Sequence, residues 1–423
     1  MDLYGEFEWR GLVYDSTEGL RDLVARAKLT TYIGFDPTAA SLHVGSLLPM
    51  VSLARLQRFG HPPIAVVGGG TGMIGDPSGK ATERALLTVA QVEANVQGIG
   101  AQLSRFLDFN DTVTPARLVN NAEWLTTLSA IEFMRDVGKH FTVNYMLAKD
   151  SVKRRSESDD GISYTEFSYL LLQSYDFLVL HDRYQCTLQM GGSDQWGNIT
   201  AGVEFIRRTR GAKAHGLVSP LLTTAAGTKF GKTEAGAVWL DPNLTSPFRF
   251  YQFWLNSDDS DAGKYLRFFT FLDRPAIEQL EEAARTAPQS REAQRALARE
   301  VTRMVHGDDQ VARAERASGV LFGEDISTLP AEDVLSVFDD VPSSTVTADA
   351  LAGEGVAVVE LLASSGLTTS KGEATRLIRG GGVYVNNRRI TDERARLRAG
   401  DAIDGRLFVL RKGAKQNHVV KIG

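Results

Sequence analysis

The chain of 423 residues contains one cysteine, Cys186, which excludes an internal disulfide and a cysteine-based metal cluster. No apolar run approaches the roughly 18 residues that a membrane-spanning helix needs. The opening Met1-Asp2-Leu3-Tyr4-Gly5-Glu6 is acidic where a secretory signal is basic, which predicts a cytoplasmic protein with no membrane contact. Internal repeats and low-complexity tracts are lacking too. What is there is ordinary for a soluble globular protein: 43% hydrophobic, 23% charged, and long enough for two or three domains. The net charge of -5 conceals an asymmetry, because residues 364–423 hold 13 Lys/Arg against 5 Asp/Glu. A basic terminal module on an acidic body points to a polyanionic partner, although a solvated charged surface would look the same.

Between Leu12 and Leu240 short β-rich runs alternate with helical patterns, as in a doubly wound, Rossmann-like α/β domain. Strands are predicted at Thr31–Gly34, Ile64–Val67, Ala116–Val119, Thr187–Met190 and near Leu217, and a helical pattern fills Thr82–Asn110. A helical insertion of about residues 120–185, a common place for a dimer interface, is interrupted by the polar stretch Ser156–Gly161, which reads as an exposed loop. The expected division is a catalytic domain over 1–246, a small α-helical domain over 247–325, a linker over 326–354 and an α+β module over 355–423. Leu297, Val301, Met304 and Val305 recur at helical spacing, so Ser290–Asp308 is predicted as one amphipathic helix ending near Gly307.

Four stretches carry chemistry. Thr31-Tyr32-Ile33-Gly34-Phe35-Asp36 leads into Ser41-Leu42-His43-Val44-Gly45-Ser46 and a long apolar helix, a strand, turn and helix start suited to phosphate. His43 could equally cap its own helix; Gly45 tips the reading toward a nucleotide, since lack of a Cβ lets a ligand approach the backbone. Gly70-Thr71-Gly72-Met73-Ile74-Gly75 matches a dinucleotide fingerprint, but Asp76-Pro77 interrupts the helix such a motif opens, and Ala81 after Lys80 spoils a P-loop. A glycine-rich turn placing Asp76 at a pocket floor is the better reading. Tyr169, Gln173 and Asp176 share one face of a helix flanked by leucines, either as a self-satisfied network or as a polar pocket. Finally, Lys229-Phe230-Gly231-Lys232-Thr233 sets two cations and a hydroxyl in a glycine-flanked loop, where lysines are either merely solvated or close on a triphosphate.

In this order, and with Gly191-Gly192-Ser193-Asp194-Gln195-Trp196-Gly197-Asn198, these motifs resemble the class I aminoacyl-tRNA synthetases and, over essentially the whole chain, the bacterial tyrosyl-tRNA synthetase family. His43 to Ser46 match the HIGH element, with Ser46 in place of its second histidine, and Lys229 to Thr233 match KMSKS. Ser370-Lys371-Gly372-Glu373-Ala374 and Gly382-Val383-Tyr384-Val385-Asn386 look like an S4-type RNA-binding fold, which implies RNA contacts from Lys371, Arg376 and Arg379. The resemblance implies that Tyr32 and Asp176 hold the phenol of L-tyrosine, that Asp76, Tyr169 and Gln173 hold its ammonium, and that Thr71, Asn121 and Gln195 line the same pocket. It further implies ATP contacts from Gly34, Asp36, His43, Gly45, Gly192, Asp194 and Lys232. Catalytic contacts would come from His43, Ser46, Lys80, Arg84, Lys229, Lys232 and Thr233. The implied partners are tRNA(Tyr), tyrosine, ATP with its Mg2+ and a second copy of the chain; no protein-held metal is expected. Two other readings remain open on the residues, an RNA-binding paralogue that has lost chemistry, suggested by Ser46, and a tryptophan-specific relative.

Overall fold

The computed structural model describes residues 2–78, 86–157, 161–223, 227, 230–233, 236–321, 326, 329–338, 341–413 and 416–423, without the side chains of residues 232, 233, 320, 321 and 336. The chain divides into two compact units, Met1–Leu244 with Trp254–Val305, and Thr245–Phe253 with His306–Gly423.

The first unit is built on a sheet formed by β1 (Asp15–Ser16), β2 (Thr30–Phe35), β3 (Pro63–Val67), β4 (Arg117–Asn120), β5 (Cys186–Gly192) and β6 (His215–Ser219), in the order β1-β6-β5-β2-β3-β4. Only the edge strand β1 runs antiparallel to its neighbour. β3 and β6 are buried at every residue, as strands covered on both faces must be, and that is why β3 reads as a continuous apolar run. From β2 the chain moves outward through β3 to β4, then returns to lay β5 on the other side of β2. This reversal opens a crevice beyond the C-terminal ends of β2 and β5, where open α/β sheets take their ligands. A small hairpin, β7 (Lys232–Thr233) with β8 (Gly236–Ala237), follows β6.

Four helices dress this sheet: α1 (Leu47–Arg58), α2 (Val89–Leu103), α3 (Tyr164–Tyr184) and α4 (Trp196–Arg210). The Ser163 hydroxyl accepts from the Glu166 N–H to start α3, and Gln185 ends it in the left-handed conformation at φ 56°. Between them Leu170, Leu171 and Phe177 pack with Phe205 of α4 and with Tyr32, which fixes the rotation of α3 and so the direction of its polar face. Ser156 of the expected loop closes a helix, Asp150–Ser156, while residues 158–160 lie outside the described residues. Helices Asp259–Phe269, Arg274–Thr286 and Glu292–His306 follow, the last within the predicted span and stopped by Gly307 at φ 88°. Buried Arg10 donates to the carbonyls of Arg267, Thr270 and Leu272, and buried Arg55 of α1 donates to that of Thr270. Two guanidiniums thus converge on the buried carbonyl of Thr270, the residue that caps the helix Asp259–Phe269, which would otherwise lack a partner.

In the second unit β9 (Ser343–Val346), β11 (Val383–Val385), β12 (Arg388–Ile390), β14 (Leu407–Lys412) and β15 (Gln416–Ile422) form a sheet in the order β12-β11-β14-β15-β9, and β10 (Val356–Ala357) pairs with β13 (Arg396–Leu397). One face packs Val383, Val385, Phe408 and Leu410 under α5 (Val358–Ser364) and α6 (Lys371–Arg379). The other packs Leu407, Val409 and Val419 against Ile326, Val334 and Phe338. The segment 326–354, expected as a linker, is therefore corrected. It holds a helix, Ala331–Val337, that covers one face of the sheet, and β9, which pairs in parallel with β15. Helix Asp308–Leu321, inside the expected helical domain 247–325, belongs to this second unit.

Candidate active site

The crevice at the switch point holds a cavity of about 350 Å3. Tyr32, Gly34 and Asp36 reach it from the end of β2, Gly192, Asp194 and Gln195 from the end of β5, and Tyr169, Gln173 and Asp176 from α3. His43, Gly45 and Ser46 close one side, and Thr71, Asp76 and Asn121 the other. These expected residues therefore converge on one cavity. Lys80, Arg84 and Lys229 lie outside the described residues; Lys232 and Thr233 are placed by their backbone in β7.

Asp176 sits at the closed end, 4% exposed, with Oδ1 accepting from Trp124 Nε1 at 2.7 Å and Oδ2 from Asn121 Nδ2 at 2.9 Å. Burial pushes its carboxyl up to about 7, against the pull of those two donors. Beside it the Tyr32 ring stands edge-on to Phe177, and its hydroxyl, buried among the described residues, has no hydrogen-bond partner. Burial and the nearby Asp176 carboxylate raise the Tyr32 phenol well above its usual range, so it is a donor and acceptor, never an anion, near neutral pH. A carboxylate with lone pairs to spare and an unpartnered phenol are what a second phenol needs.

Asn121 ties this end to the rest. Its Oδ1 accepts from the Gly70 N–H at 2.8 Å, and its Nδ2 also donates to Thr71 Oγ1 at 2.9 Å. Thr71 in turn donates to Asp36 Oδ1 at 3.0 Å, and the Tyr169 hydroxyl donates to Asp36 Oδ2 at 3.0 Å. Asp36, which the resemblance gives to ATP, is thus joined through its side chain to Thr71 and Tyr169 of the amino-acid pocket. A second network starts at Asp76, whose Oδ2 accepts from Gln195 Nε2 at 2.6 Å; Gln195 Oε1 accepts from Gln173 and from Asn198. Gly75, at φ 90°, makes the turn that brings Asp76 inward. Fingerprint residues Thr71–Met73 form a 3₁₀ turn in place of the α-helix that a dinucleotide motif opens.

The histidine turn differs in detail from its reading. His43 caps a 3₁₀ turn, Val44–Ser46, with Nδ1 accepting from the Gly45 N–H at 3.0 Å. A Cβ on Gly45 would lie 2.7 Å from His43 Cε1, so the glycine is required by the imidazole packed on it as well as by any ligand. Ser46 lines the cavity and makes no capping hydrogen bond to α1. Its hydroxyl is therefore available to a nucleotide. Ser46→Ala should raise the KM for ATP in pyrophosphate exchange about 3- to 10-fold without changing tyrosine affinity; an unchanged KM removes Ser46 from the nucleotide contacts.

Three lining or supporting residues escaped the sequence reading. Trp124 and Asn198 hold other polar side chains by contacts between distant parts of the chain, and Gln189, 3% exposed, lines the cavity from β5. A polar residue inside an apolar strand, in register with Tyr32, was the available signal for Gln189. A second, mostly apolar cavity of about 280 Å3 adjoins the first, sharing His43, Gly45 and Gly192 and adding Leu48, Leu222 and Phe230.

Fold and site together are those of a class I tRNA synthetase, and the family model described as "tRNA synthetases class I (W and Y)" matches residues 25–323. The model "Tyrosine--tRNA ligase SYY-like C-terminal domain" matches residues 333–420. The tyrosine-tRNA ligase of Roseiflexus castenholzii is 59% identical over 99% of this chain and 98% of its own length. That of Geobacillus stearothermophilus is 51% identical over 100% of both. The crystal structure of a C-terminally truncated mitochondrial tyrosyl-tRNA synthetase from Coccidioides posadasii superposes with a TM-score of 0.66 at 33% identity, covering 75% of this chain and 91% of that one. The chain belongs to the tyrosine-tRNA ligases.

Proposed function

We propose that the switch-point cavity is where this chain activates L-tyrosine with ATP and then hands the tyrosyl group to tRNA(Tyr), the activity of a tyrosine-tRNA ligase. The observation that carries the tyrosine assignment is the pairing of Asp176 with the unpartnered Tyr32 hydroxyl at the closed end of the cavity. Asp76, Gln173 and Tyr169, further out, suit the substrate ammonium, with Thr71, Asn121 and Gln195 holding them in place. An indole would leave the phenol-binding pair without a partner. The loss-of-chemistry reading has no support, since the relatives over the full length are ligases and the tyrosine pocket is complete.

In the first step a tyrosine carboxylate oxygen attacks the α-phosphorus of ATP, the bond to the bridging oxygen breaks and pyrophosphate leaves. No side chain need act as nucleophile, so catalysis is positioning plus stabilisation of phosphate charge. Gly34, His43, Gly45 and Ser46 are assigned to the nucleotide, Gly192 and Asp194 to its ribose, and the apolar cavity beside Leu48 and Leu222 to its base. Lys80, Arg84, Lys229, Lys232 and Thr233 are assigned to the triphosphate by their match to the family motifs. Mg2+ is assigned to ATP as its companion. In the second step the terminal ribose hydroxyl of the tRNA attacks the tyrosyl carbonyl and AMP leaves.

For the tRNA, the exposed face of α6 offers Lys371, Arg376 and Arg379; Lys371 and Arg379 are paired with Glu360 and Glu393, whereas Arg376 is in no ion pair among the described residues. A homodimer is supported by Ile131, Val143 and Tyr164, 60 to 73% exposed on the expected insertion. Among the described residues no helix is long and apolar enough to cross a membrane, and a cytoplasmic location fits the substrates. ATP–pyrophosphate exchange offered tyrosine, phenylalanine or tryptophan tests the reading: tyrosine alone should support exchange, and exchange with tryptophan or with none would overturn it.

A further inference from the structure

Phe230 lies between the two lysines of the signature loop, yet it is 4% exposed. Its ring is stacked on Phe269 at 5.4 Å and 16°, meets Tyr265 edge-on at 5.0 Å and tilts against Trp254 at 5.6 Å. The backbone there is held as firmly. The Phe230 N–H donates to the Leu222 carbonyl, the Gly231 carbonyl accepts from Val238, and the Val238 carbonyl accepts from Val44 in the histidine turn. Gly231 stands at φ 80°, and a Cβ on it would lie 2.7 Å from Val44 Cγ2, so the chain passes against that turn with no room to spare. Phe230 also lines the apolar cavity beside His43 and Leu48. A loop whose lysines were only solvated would have no use for an aromatic cage at its centre.

We infer that Phe230 is a buried pivot, a positioning residue that fixes the point about which Lys229 and Lys232 reach the triphosphate. This rests on the assignment of those lysines to the triphosphate. Because a triphosphate is present only during activation, the pivot matters for adenylate formation and not for tyrosine binding or for transfer from adenylate already formed.

The test uses the full-length protein and three variants, F230A, F230L and K232A. F230A should slow single-turnover adenylate formation about 10- to 100-fold and raise the KM for ATP, because a small misplacement of charge-stabilising groups is enough to lose that much. Tyrosine affinity and transfer from preloaded tyrosyl-adenylate should be unchanged. F230L, which keeps the bulk but not the ring stacking, should recover most of the rate. The F230A change should cost less in the K232A background than alone, since both act on the same charge. Equal losses in activation and transfer, or an unaltered activation rate in both Phe230 variants while K232A is slow, would overturn the pivot. Normal activation by K232A would remove the triphosphate assignment itself and the pivot with it.

Discussion

Asp176→Asn should lower kcat/KM for tyrosine in pyrophosphate exchange by about 100- to 1000-fold while leaving the KM for ATP unchanged. Both oxygens of the native carboxylate face donors, Trp124 Nε1 and Asn121 Nδ2. An amide there can accept from one and must point its own N–H2 at the other. Asn121 could turn to accommodate it, but then the Gly70 N–H would lose its acceptor. The phenol meanwhile loses an ionised acceptor in a place water does not reach, and hydrogen bonds to charged groups are about twice as strong as neutral ones. The same carboxyl, pushed up to about 7, gives the wild type an acid limb that the variant lacks. kcat/KM for tyrosine should fall as pH drops through about 7, since the free enzyme must present the ionised form. A loss under tenfold in Asp176→Asn, or a flat profile in the wild type between pH 6 and 8, would remove Asp176 as phenol acceptor.

Stability should move the opposite way. In the unfolded chain Asp176 titrates near its ordinary 3.8; folded, at about 7. Between those values the native state keeps a proton that the unfolded chain has released, so the free energy of unfolding falls as pH rises through that window and levels off above it. The shift corresponds to about 4 kcal/mol. Denaturant unfolding at pH 5 and pH 8 should therefore show Asp176→Asn gaining on the wild type as pH rises. The ionised carboxylate proposed to receive the tyrosine phenol is held at the expense of the fold.

Much of this pocket was legible because its residues obey local periods. Tyr169, Gln173 and Asp176 fall on one face of α3 by spacing alone, and β3 announces itself by the apolar run that burial on two faces demands. What the sequence hid is long-range. Asp36 and Tyr169 are 133 residues apart, Trp124 and Asp176 are 52 apart, and no local pattern says that they meet. Gly45 was explained by a ligand when the nearer cause is the imidazole two residues before it. The region 326–354 read as a linker because β9 is Ser-Ser-Thr-Val, a polar edge strand with alternating exposure whose partner lies some seventy residues further on. With no residue buried, β9 carries no apolar run, so composition alone does not distinguish it from a loop.

That correction decides where the chain can be cut. Ending it after residue 325 should leave tyrosine-dependent pyrophosphate exchange intact and lower kcat/KM for tRNA charging by about 100-fold or more, because the basic module proposed to meet the tRNA backbone is gone. A C-terminally truncated relative at 33% identity is itself a folded structure, which supports survival of the first unit. Ending it after residue 354, the boundary expected from sequence, should behave worse. Helix Ala331–Val337 and β9 would remain while Leu407, Val409 and Val419 were removed, exposing Val334 and Phe338, which are 0 and 5% exposed in the whole chain. An apolar helix face and an unpaired strand edge together favour association, so this longer fragment should aggregate or be trimmed by protease back toward residue 325, whereas the shorter one stays monodisperse. Charging by the shorter fragment at the full rate would remove residues 326–423 from tRNA binding. Equal solubility and protease resistance of the two fragments would mean that the contacts of residues 326–354 with the sheet contribute little to the stability of that unit.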